Sequence, residues 1–171
     1  MPPQHSVSAA IRVISSTDPA WDHERIDREY APMKAAGHEE RHPYIAYILG
    51  DTRYDLDAPV QFPGGEASPR SYLKAEARPL TWVMRRLKIT ELARCEDVGG
   101  NEGRLIAFRL ALVGVENPPP EMQLPELSPN HPMREGVVDG LVELVGADAV
   151  FAAGAAAMKA SAAPTSAEKK R

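Results

Sequence analysis

Apolar and polar positions alternate with a period of two in two stretches of this chain. In residues 7–15, Ile11 and Val13 fall on one side, and in residues 80–89 β-branched and aromatic side chains alternate in the same way. A period of two matches a β-strand, whose successive side chains point to opposite faces. We therefore predict one strand in each stretch.

The region between these stretches contains two further short apolar runs. One covers residues 43–50, between Pro43 and Gly50, and the other covers residues 51–62. Short apolar runs bounded by turn-forming residues are typical of strands. We predict two β segments around a turn at Gly50 and Asp51, followed by a loop over the Gly- and Pro-rich residues 63–71.

Helical signals occupy other parts of the chain. Asp18 is a suitable N-cap and Pro19 suits a first helical turn, so we predict a helix that begins there and ends near Pro32, which disfavours its continuation. Thr90 is predicted to cap a short helix that ends at the glycine pair of residues 99–100.

The remaining helical periodicity lies in the second half of the chain. Residues 101–113 are apolar around most of a helical circumference, which predicts a core helix. Residues 133–146 carry an apolar stripe at helical spacing, and residues 147–161 follow as an alanine-rich helix. Because Glu143 and Asp148 interrupt this apolar region, we interpret it as helices of a soluble domain and not as a membrane span.

The order of these elements predicts an α+β fold. β segments with one helix come first, and a predominantly helical C-terminal half with an extended proline-rich arm follows. We predict an α+β domain over residues 1–115, a linker or arm over 116–132, C-terminal helices over 133–160 and a flexible tail over 161–171. The arm is predicted because prolines cluster there and exclude regular helix or central strand.

Composition narrows the classes of function. The chain has 171 residues and a formal net charge of −4, which argues against a protein dominated by contacts with nucleic-acid phosphates. Cys95 is the single cysteine, so no internal disulfide forms and a reducing compartment fits best. Because no histidine is predicted near it as a base, we interpret Cys95 as a small buried side chain.

Residues 38–42 spell the H-E-x-x-H pattern of zinc peptidases. In those enzymes two histidines one helical turn apart bind zinc, and the glutamate activates the bound water. In this chain Pro43 follows His42 directly and disfavours helical conformation at that residue. We therefore interpret His38, Glu39 and His42 as part of a loop, and keep a zinc-dependent hydrolase as an alternative.

Two other clusters have a chemical and a structural interpretation. Asp51, Asp55 and Asp57 lack the glycine and the closing glutamate of an EF-hand loop, so we interpret them as turn residues. A basic stretch surrounds Trp82, and its charged members are Arg78, Arg85, Arg86, Lys88 and Arg94. Nucleic-acid binding is one interpretation of this stretch, and a strand whose charges pair with nearby carboxylates such as Glu91 is the preferred one.

The layout of the second half resembles small accessory proteins of tailed bacteriophages. The resemblance covers residues 78–169: a β segment, a helix that opens at Thr90 and Glu91, an apolar helix, a proline-containing gap, a further helix and a tail with Ser166 and Lys169. In particular it resembles tail-assembly chaperones. Their Thr-x-x-Glu opening differs here, because Glu91 follows Thr90 directly.

The resemblance implies a non-enzymatic protein that acts through protein–protein contacts. Its partners would be phage structural proteins or copies of itself, in the host cytoplasm during assembly or retained in the virion, with no cofactor, metal, membrane or small-molecule substrate. The expected partner-binding residues are Trp82, Arg85, Arg86, Pro118, Pro119 and Pro120.

Three classes of function therefore stay open. The preferred one is a tail-assembly chaperone or accessory protein, with a virion component such as a head-tail connector, neck or capsid accessory protein close behind. A zinc-dependent hydrolase through residues 38–42 is the second class, and a nucleic-acid-binding accessory protein through Arg85 and Arg86 is the third.

Overall fold

The computed structural model describes residues 10–38, 41–124 and 135–162. Within these ranges the chain has six α-helices and small antiparallel sheets, so the predicted α+β class is confirmed. The contacts divide the chain into two compact units. One contains the described residues of 14–80, which we call the hairpin unit, and the other joins residues 10–13 with the described residues from 81 onward, which we call the helical unit.

The elements in chain order are β1 (Ile11–Ile14), α1 (His23–Ala35), α2 (Pro43–Ile48), β2 (Val60–Phe62), β3 (Gly65–Ala67), a 3-10 turn (Pro69–Tyr72), β4 (Thr81–Met84), α3 (Ile89–Val98), α4 (Gly100–Ala111), β5 (Leu112–Glu116), α5 (Glu135–Val145) and α6 (Ala147–Ala162). Strand β4 lies between β1 and β5 in a three-stranded sheet, and it pairs with β5 in antiparallel orientation. Strands β2 and β3 form a separate hairpin.

Helix α1 begins later and ends later than the sequence predicted. Asp22, not Asp18, is its N-cap and accepts a hydrogen bond from the Arg25 amide at 3.1 Å. Pro32 lies inside the helix, which continues to Ala35. A proline in a helix interior costs about 3 kcal/mol, and burying the neighbouring Met33 side chain recovers about 1.5–3 kcal/mol. The prediction that the helix ends near Pro32 was therefore wrong, because the burial of Met33 offsets most of the cost of the proline.

Residues 43–48 form helix α2, so the strand predicted over residues 43–50 was wrong. Pro43 occupies the first helical position, and Tyr44 and Tyr47 point to the same side of the helix, where both rings contact Trp21. Helical spacing of three is what brings both tyrosines to one tryptophan. A six-residue apolar run does not distinguish strand from helix, and this aromatic contact selects the helix.

The hairpin replaces part of the predicted loop. The strand predicted over residues 51–62 forms only at Val60–Phe62, because residues 51–54 turn, with positive φ at Arg53 and Tyr54. Residues 65–67, predicted as loop, form β3 and pair with β2 in the register Val60↔Ala67 and Phe62↔Gly65. A short Gly-rich strand lacks the apolar pattern by which strands are predicted.

The helical unit confirms most of the later elements, with shifted boundaries. Strand β4 ends at Met84 instead of residue 89, and its pairing with β5 becomes irregular between Val83 and Met84. Helix α3 then opens at Ile89, where the Lys88 amide donates to the Glu91 carboxylate. Helix α4 is a core helix as predicted, with Phe108 fully buried, but the chain becomes strand β5 from Leu112.

Helices α5 and α6 confirm the two predicted C-terminal helices. In the structure they fall in the same compact unit as β4 and β5. The physical reason is a close crossing of α6 over α4 at Gly154, where an added Cβ would overlap the carbonyl oxygen of Arg104. Similarly, Gly103 of α4 sits against the backbone carbonyl of the buried Cys95.

None of the described helices is by itself long and apolar enough to cross a membrane. The segments Gly136–Val145 and Ala147–Ala162 reach the length and apolar composition of a membrane span only when taken together, and they are bent by 115° at the break between them.

The crossing at Gly154 predicts a stability effect. We expect Gly154→Ala to lower the free energy of unfolding by about 1–3 kcal/mol, because the new methyl group must displace the α4 backbone. The matched control is Gly140→Ala on α5, where nothing lies within 4 Å of the Cβ position. That change is expected to raise stability by about 0.5–1 kcal/mol through helix propensity. Urea unfolding followed by circular dichroism measures both, and equal stability of the two variants would contradict the close crossing.

Candidate functional site

The residues predicted to bind partners lie in different environments. Trp82, predicted to bind a partner, is only 1% exposed, and its ring meets Phe108 edge-on at 5.2 Å. The ring is buried on a face of the sheet where Phe108 of helix α4 packs against it. Arg85 forms a bidentate ion pair with Glu91, in which Nη1 and Nη2 donate to the two carboxylate oxygens at 2.9 and 2.8 Å. This pair lowers the pKa of Glu91 to about 2.

Arg86 and the proline arm complete the predicted set. Arg86 donates to the carbonyl oxygen of Ser161 at 3.3 Å. Pro118 and Pro120 are exposed and Pro119 is half-buried, in a turn closed by the Met122 amide on the Pro119 carbonyl. A partner-binding role for these residues stays a prediction. The later prolines of the arm (residues 125–132) and the predicted tail from residue 163 lie outside the described residues.

The H-E-x-x-H segment has the local conformation that Pro43 predicts. His42 is extended (φ −64°, ψ 134°) and acts as the N-cap of α2, while His38 follows the end of α1. Glu39 and Glu40 lie outside the described residues. His38 and His42 therefore do not stand one turn apart on a helix, which is the arrangement that a zinc peptidase needs. Asp57, one of the three aspartates interpreted above as turn residues, forms an ion pair with Arg70 at 2.6 Å.

His42 instead belongs to a group that we call the polar cluster: the buried His42 and Tyr72 and the half-buried Arg25 and Glu29. The Tyr72 hydroxyl donates to Oε1 of Glu29 at 2.6 Å, and Nε of Arg25 donates to Oε2 at 2.8 Å. The Arg25 guanidinium also lies over the Tyr72 ring, 4.2 Å from its centre. The Glu29 carboxylate therefore joins α1 to the 3-10 turn.

The His42 ring packs beneath this carboxylate and is 0% exposed. Its Nδ1 accepts a hydrogen bond from the Tyr44 amide at 3.1 Å, so the proton of the neutral ring lies on Nε2. Nε2 is 3.6 Å from Oε1 of Glu29, too far for a hydrogen bond, and makes none among the described residues. The ring is held by the faces of Tyr72 and Phe62, with centres 4.6 and 5.8 Å away.

Burial and charge move the pKa values within the cluster in defined directions. For His42, burial lowers the pKa and outweighs the attraction of Glu29 for the protonated ring. For Glu29, burial raises the pKa, but hydrogen bonds from Tyr72 and Arg25 outweigh burial and leave the pKa below its ordinary value. At neutral pH the cluster therefore holds one anion, one cation and a neutral imidazole.

A groove of about 670 Å³ runs beside the polar cluster in the hairpin unit. Helix α1 supplies one wall and the β2–β3 hairpin supplies the other. Its apolar lining includes Pro32, Met33, Ala36, Phe62 and Ala67, and its charged lining includes Arg25, Arg28, Glu29 and Glu66. The volume lies within the range of ordinary ligand pockets.

The hairpin wall of the groove is formed by the end of β2, the turn and β3, namely by Phe62, Pro63, Gly64, Glu66 and Ala67. Glu66 and Ala67 are adjacent in β3 and point to opposite faces, yet both line the groove, so the groove passes the edge of this strand. A two-residue turn makes Phe62 and Gly65 a hydrogen-bonded pair, so Gln61 and Glu66 form the next, non-hydrogen-bonded pair. The Glu66 amide and carbonyl therefore face outward, and in the part of the chain that the structure describes no strand pairs with that edge.

The sequence-based reasoning missed both the cluster and the groove. The one local signal was the spacing of Arg25 and Glu29, which form an ion pair between residues four apart on a helix. Among the described residues, no group of three or more His, Cys, Asp or Glu side chains could hold a metal ion. The arrangement suits binding: a polar strand edge, an apolar floor and exposed charges along one channel.

Comparisons with known proteins do not add a relative, because the chain matches no protein-family model, no curated protein and no solved structure.

The lowered pKa of His42 predicts a pH dependence of stability. Since the unfolded histidine keeps its ordinary pKa of 6.5, it binds a proton below that pH before the folded ring does. Stability is therefore expected to fall as the pH drops below about 6.5, by at most about 1.4 kcal/mol per pH unit from this group. Urea unfolding at pH 7.5, 6.5 and 5.5 measures the slope.

The control for this prediction is His42→Asn, which keeps an N-cap acceptor for α2 but does not titrate. We expect the variant to be less stable at pH 7.5, because of the cavity it leaves, and to lose part of the wild-type slope. The same slope in both proteins would contradict the assignment to His42.

Proposed function

We propose that this protein is non-enzymatic and acts through protein–protein contacts, by binding an extended segment of a partner in the groove between α1 and β3. The observation that carries the proposal is the unpaired edge of β3 along a groove of about 670 Å³. An exposed strand edge presents backbone donors and acceptors at fixed spacing, and an extended peptide pairs with them as an added strand.

The dimensions of the groove fit such a segment. On the helical wall the lining residues run from Arg25 to Ala36. That distance is roughly 16 Å at about 1.5 Å per helical residue, and it accommodates roughly five residues of extended chain at about 3.3 Å each. Backbone pairing with Glu66 would set the register of the segment in the groove.

The side chains of the groove indicate what the bound segment carries. Phe62, Met33 and Pro32 form an apolar floor that suits one apolar side chain of the partner. Arg28 is exposed on the same wall and makes no ion pair with any described residue, whereas the charge of Arg25 is already engaged by Glu29. Arg28 would therefore pair with a carboxylate, whereas Glu66, which is also exposed, would repel one. The proposed ligand is thus an extended segment with an apolar residue and with an acidic residue placed opposite Arg28.

Such binding agrees with the role that the phage resemblance implies. A tail-assembly chaperone or accessory protein holds other chains through exposed surfaces, and strand addition is a common means of joining neighbours in an assembly. The same surface would serve a virion component such as a connector, neck or capsid accessory protein. We propose that the protein acts during assembly in the host cytoplasm. Retention in the finished virion is the second form of this proposal.

Selection from a displayed library of random heptapeptides tests the proposal. We expect the purified full-length protein to enrich sequences with an acidic and an apolar residue. An enriched peptide should bind Arg28→Glu at least tenfold more weakly than wild type, because the change opposes its carboxylate with a like charge. The matched control is Lys34→Glu on the same helix, which is exposed and does not line the groove, and it should bind within about twofold of wild type. Fluorescence anisotropy measures the affinities.

A second pair of variants tests the strand edge. Glu66→Pro removes the outward amide of β3, and Gln61→Pro removes the outward amide of β2 on the opposite edge. Only the first should weaken the peptide, with unchanged circular dichroism as the folding check. Enriched peptides that bind Arg28→Glu and Glu66→Pro as tightly as wild type would assign the contact to another surface.

A further inference from the structure

A second groove, of about 500 Å³, lies in the helical unit along helix α5. Its lining residues are Glu121, Gln123, Gly136, Val137, Gly140, Leu141, Glu143 and Leu144. Helix α5 buries Val138 and Leu141 within the unit, while the large apolar Leu144 stays 39% exposed on the groove side. The helix thus presents an apolar surface that the described residues do not cover.

The two glycines of this groove leave room for close approach. Gly136 and Gly140 are one helical turn apart, and nothing lies within 4 Å of the Cβ position at either residue. Each glycine lowers helix stability by about 1 kcal/mol relative to alanine. In return, a neighbouring helix backbone can lie directly against α5 at this point.

The charges of the groove define the partner further. Its two ionisable lining residues, Glu121 and Glu143, are both acidic and exposed, and no Lys, Arg or described His lines it. A second copy of the same face would bring like charges together and would be repelled. Charge complementarity therefore calls for a partner with basic residues on both sides of an apolar stripe.

We propose that the α5 groove binds an amphipathic helix of a partner protein, with an apolar stripe flanked by lysine or arginine. The apolar stripe would cover Leu144 and the half-buried Val137, the glycines would admit its backbone, and the basic flanks would pair with Glu121 and Glu143. This site lies in the helical unit and does not depend on the proposed β3 groove.

Two synthetic 20-residue helices test the proposal with the full-length protein. Both carry the same leucine stripe, and one has lysine flanks while the other has glutamate flanks. By fluorescence anisotropy we expect the lysine peptide to bind at least tenfold more tightly. Gly140→Leu fills the groove without loss of helix propensity and should weaken this peptide at least tenfold. The matched control is Ala152→Leu, which adds the same apolar area at an exposed position of α6 outside the groove.

Charge reversal at Glu143 distinguishes binding in the α5 groove from nonspecific binding of apolar peptides. Glu143→Lys should weaken the lysine peptide and strengthen the glutamate peptide by several-fold each. Equal binding of the two peptides to wild type, or equal loss in Gly140→Leu and Ala152→Leu, would overturn the proposal.

Three further results would assign the groove to a different occupant and also overturn it. The first is lysine-peptide binding that appears only when residues 125–132 are replaced by a Gly-Ser linker, which would make this chain its own occupant. The second is a concentration-dependent rise in mass that Gly140→Leu abolishes, which would indicate a second copy. The third is binding to vesicles of phosphatidylcholine and phosphatidylglycerol that Gly140→Leu abolishes, which would indicate a lipid surface.

Discussion

The Glu29 carboxylate is the interaction on which the hairpin unit depends. It accepts from Tyr72 at 2.6 Å and from Arg25 at 2.8 Å, and thereby joins α1 to a segment 43 residues away. The buried ring of His42 packs on Tyr72 and Phe62, so the same cluster supports the start of α2 and the end of β2. Glu29 and Arg25 of α1 and Phe62 of β2 also line the groove, so the cluster helps to place both of its walls.

A different constraint holds the helical unit, namely the close approach of helix backbones at glycine. Gly103 and Gly154 stand where any side chain would overlap a carbonyl oxygen of the neighbouring helix, at Cys95 and Arg104 respectively. Gly136 and Gly140 have the same absence of a side chain but face open space. The contrast separates glycines that internal packing requires from glycines that leave room for something outside. It also explains how one alanine- and glycine-rich region serves both core packing and a surface.

Long periodic segments were predictable and short or tertiary features were not. The core helix α4 and the helices α5 and α6 follow directly from apolar positions at helical spacing, and the effect of Pro43 on His42 follows from local sterics. Helix α2 could not be recognised, because the contact that selects it comes from Trp21. Strand β3 was missed because its three residues, Gly65–Ala67, have almost no apolar pattern. The candidate groove lies between a predicted helix and a hairpin that was not predicted, so beyond the Arg25–Glu29 spacing no local pattern indicates it.

The single thiol of the chain has a practical consequence. Cys95 is completely buried in α3 and its pKa is raised, chiefly by that burial, so alkylating reagents meet neither an accessible sulfur nor an appreciable fraction of thiolate. Modification of this sulfur requires the contact between α3 and α4 to separate. The rate of labelling therefore reports how often the helical unit opens at this contact. Mass spectrometry can follow it, because each labelled molecule gains the mass of one adduct.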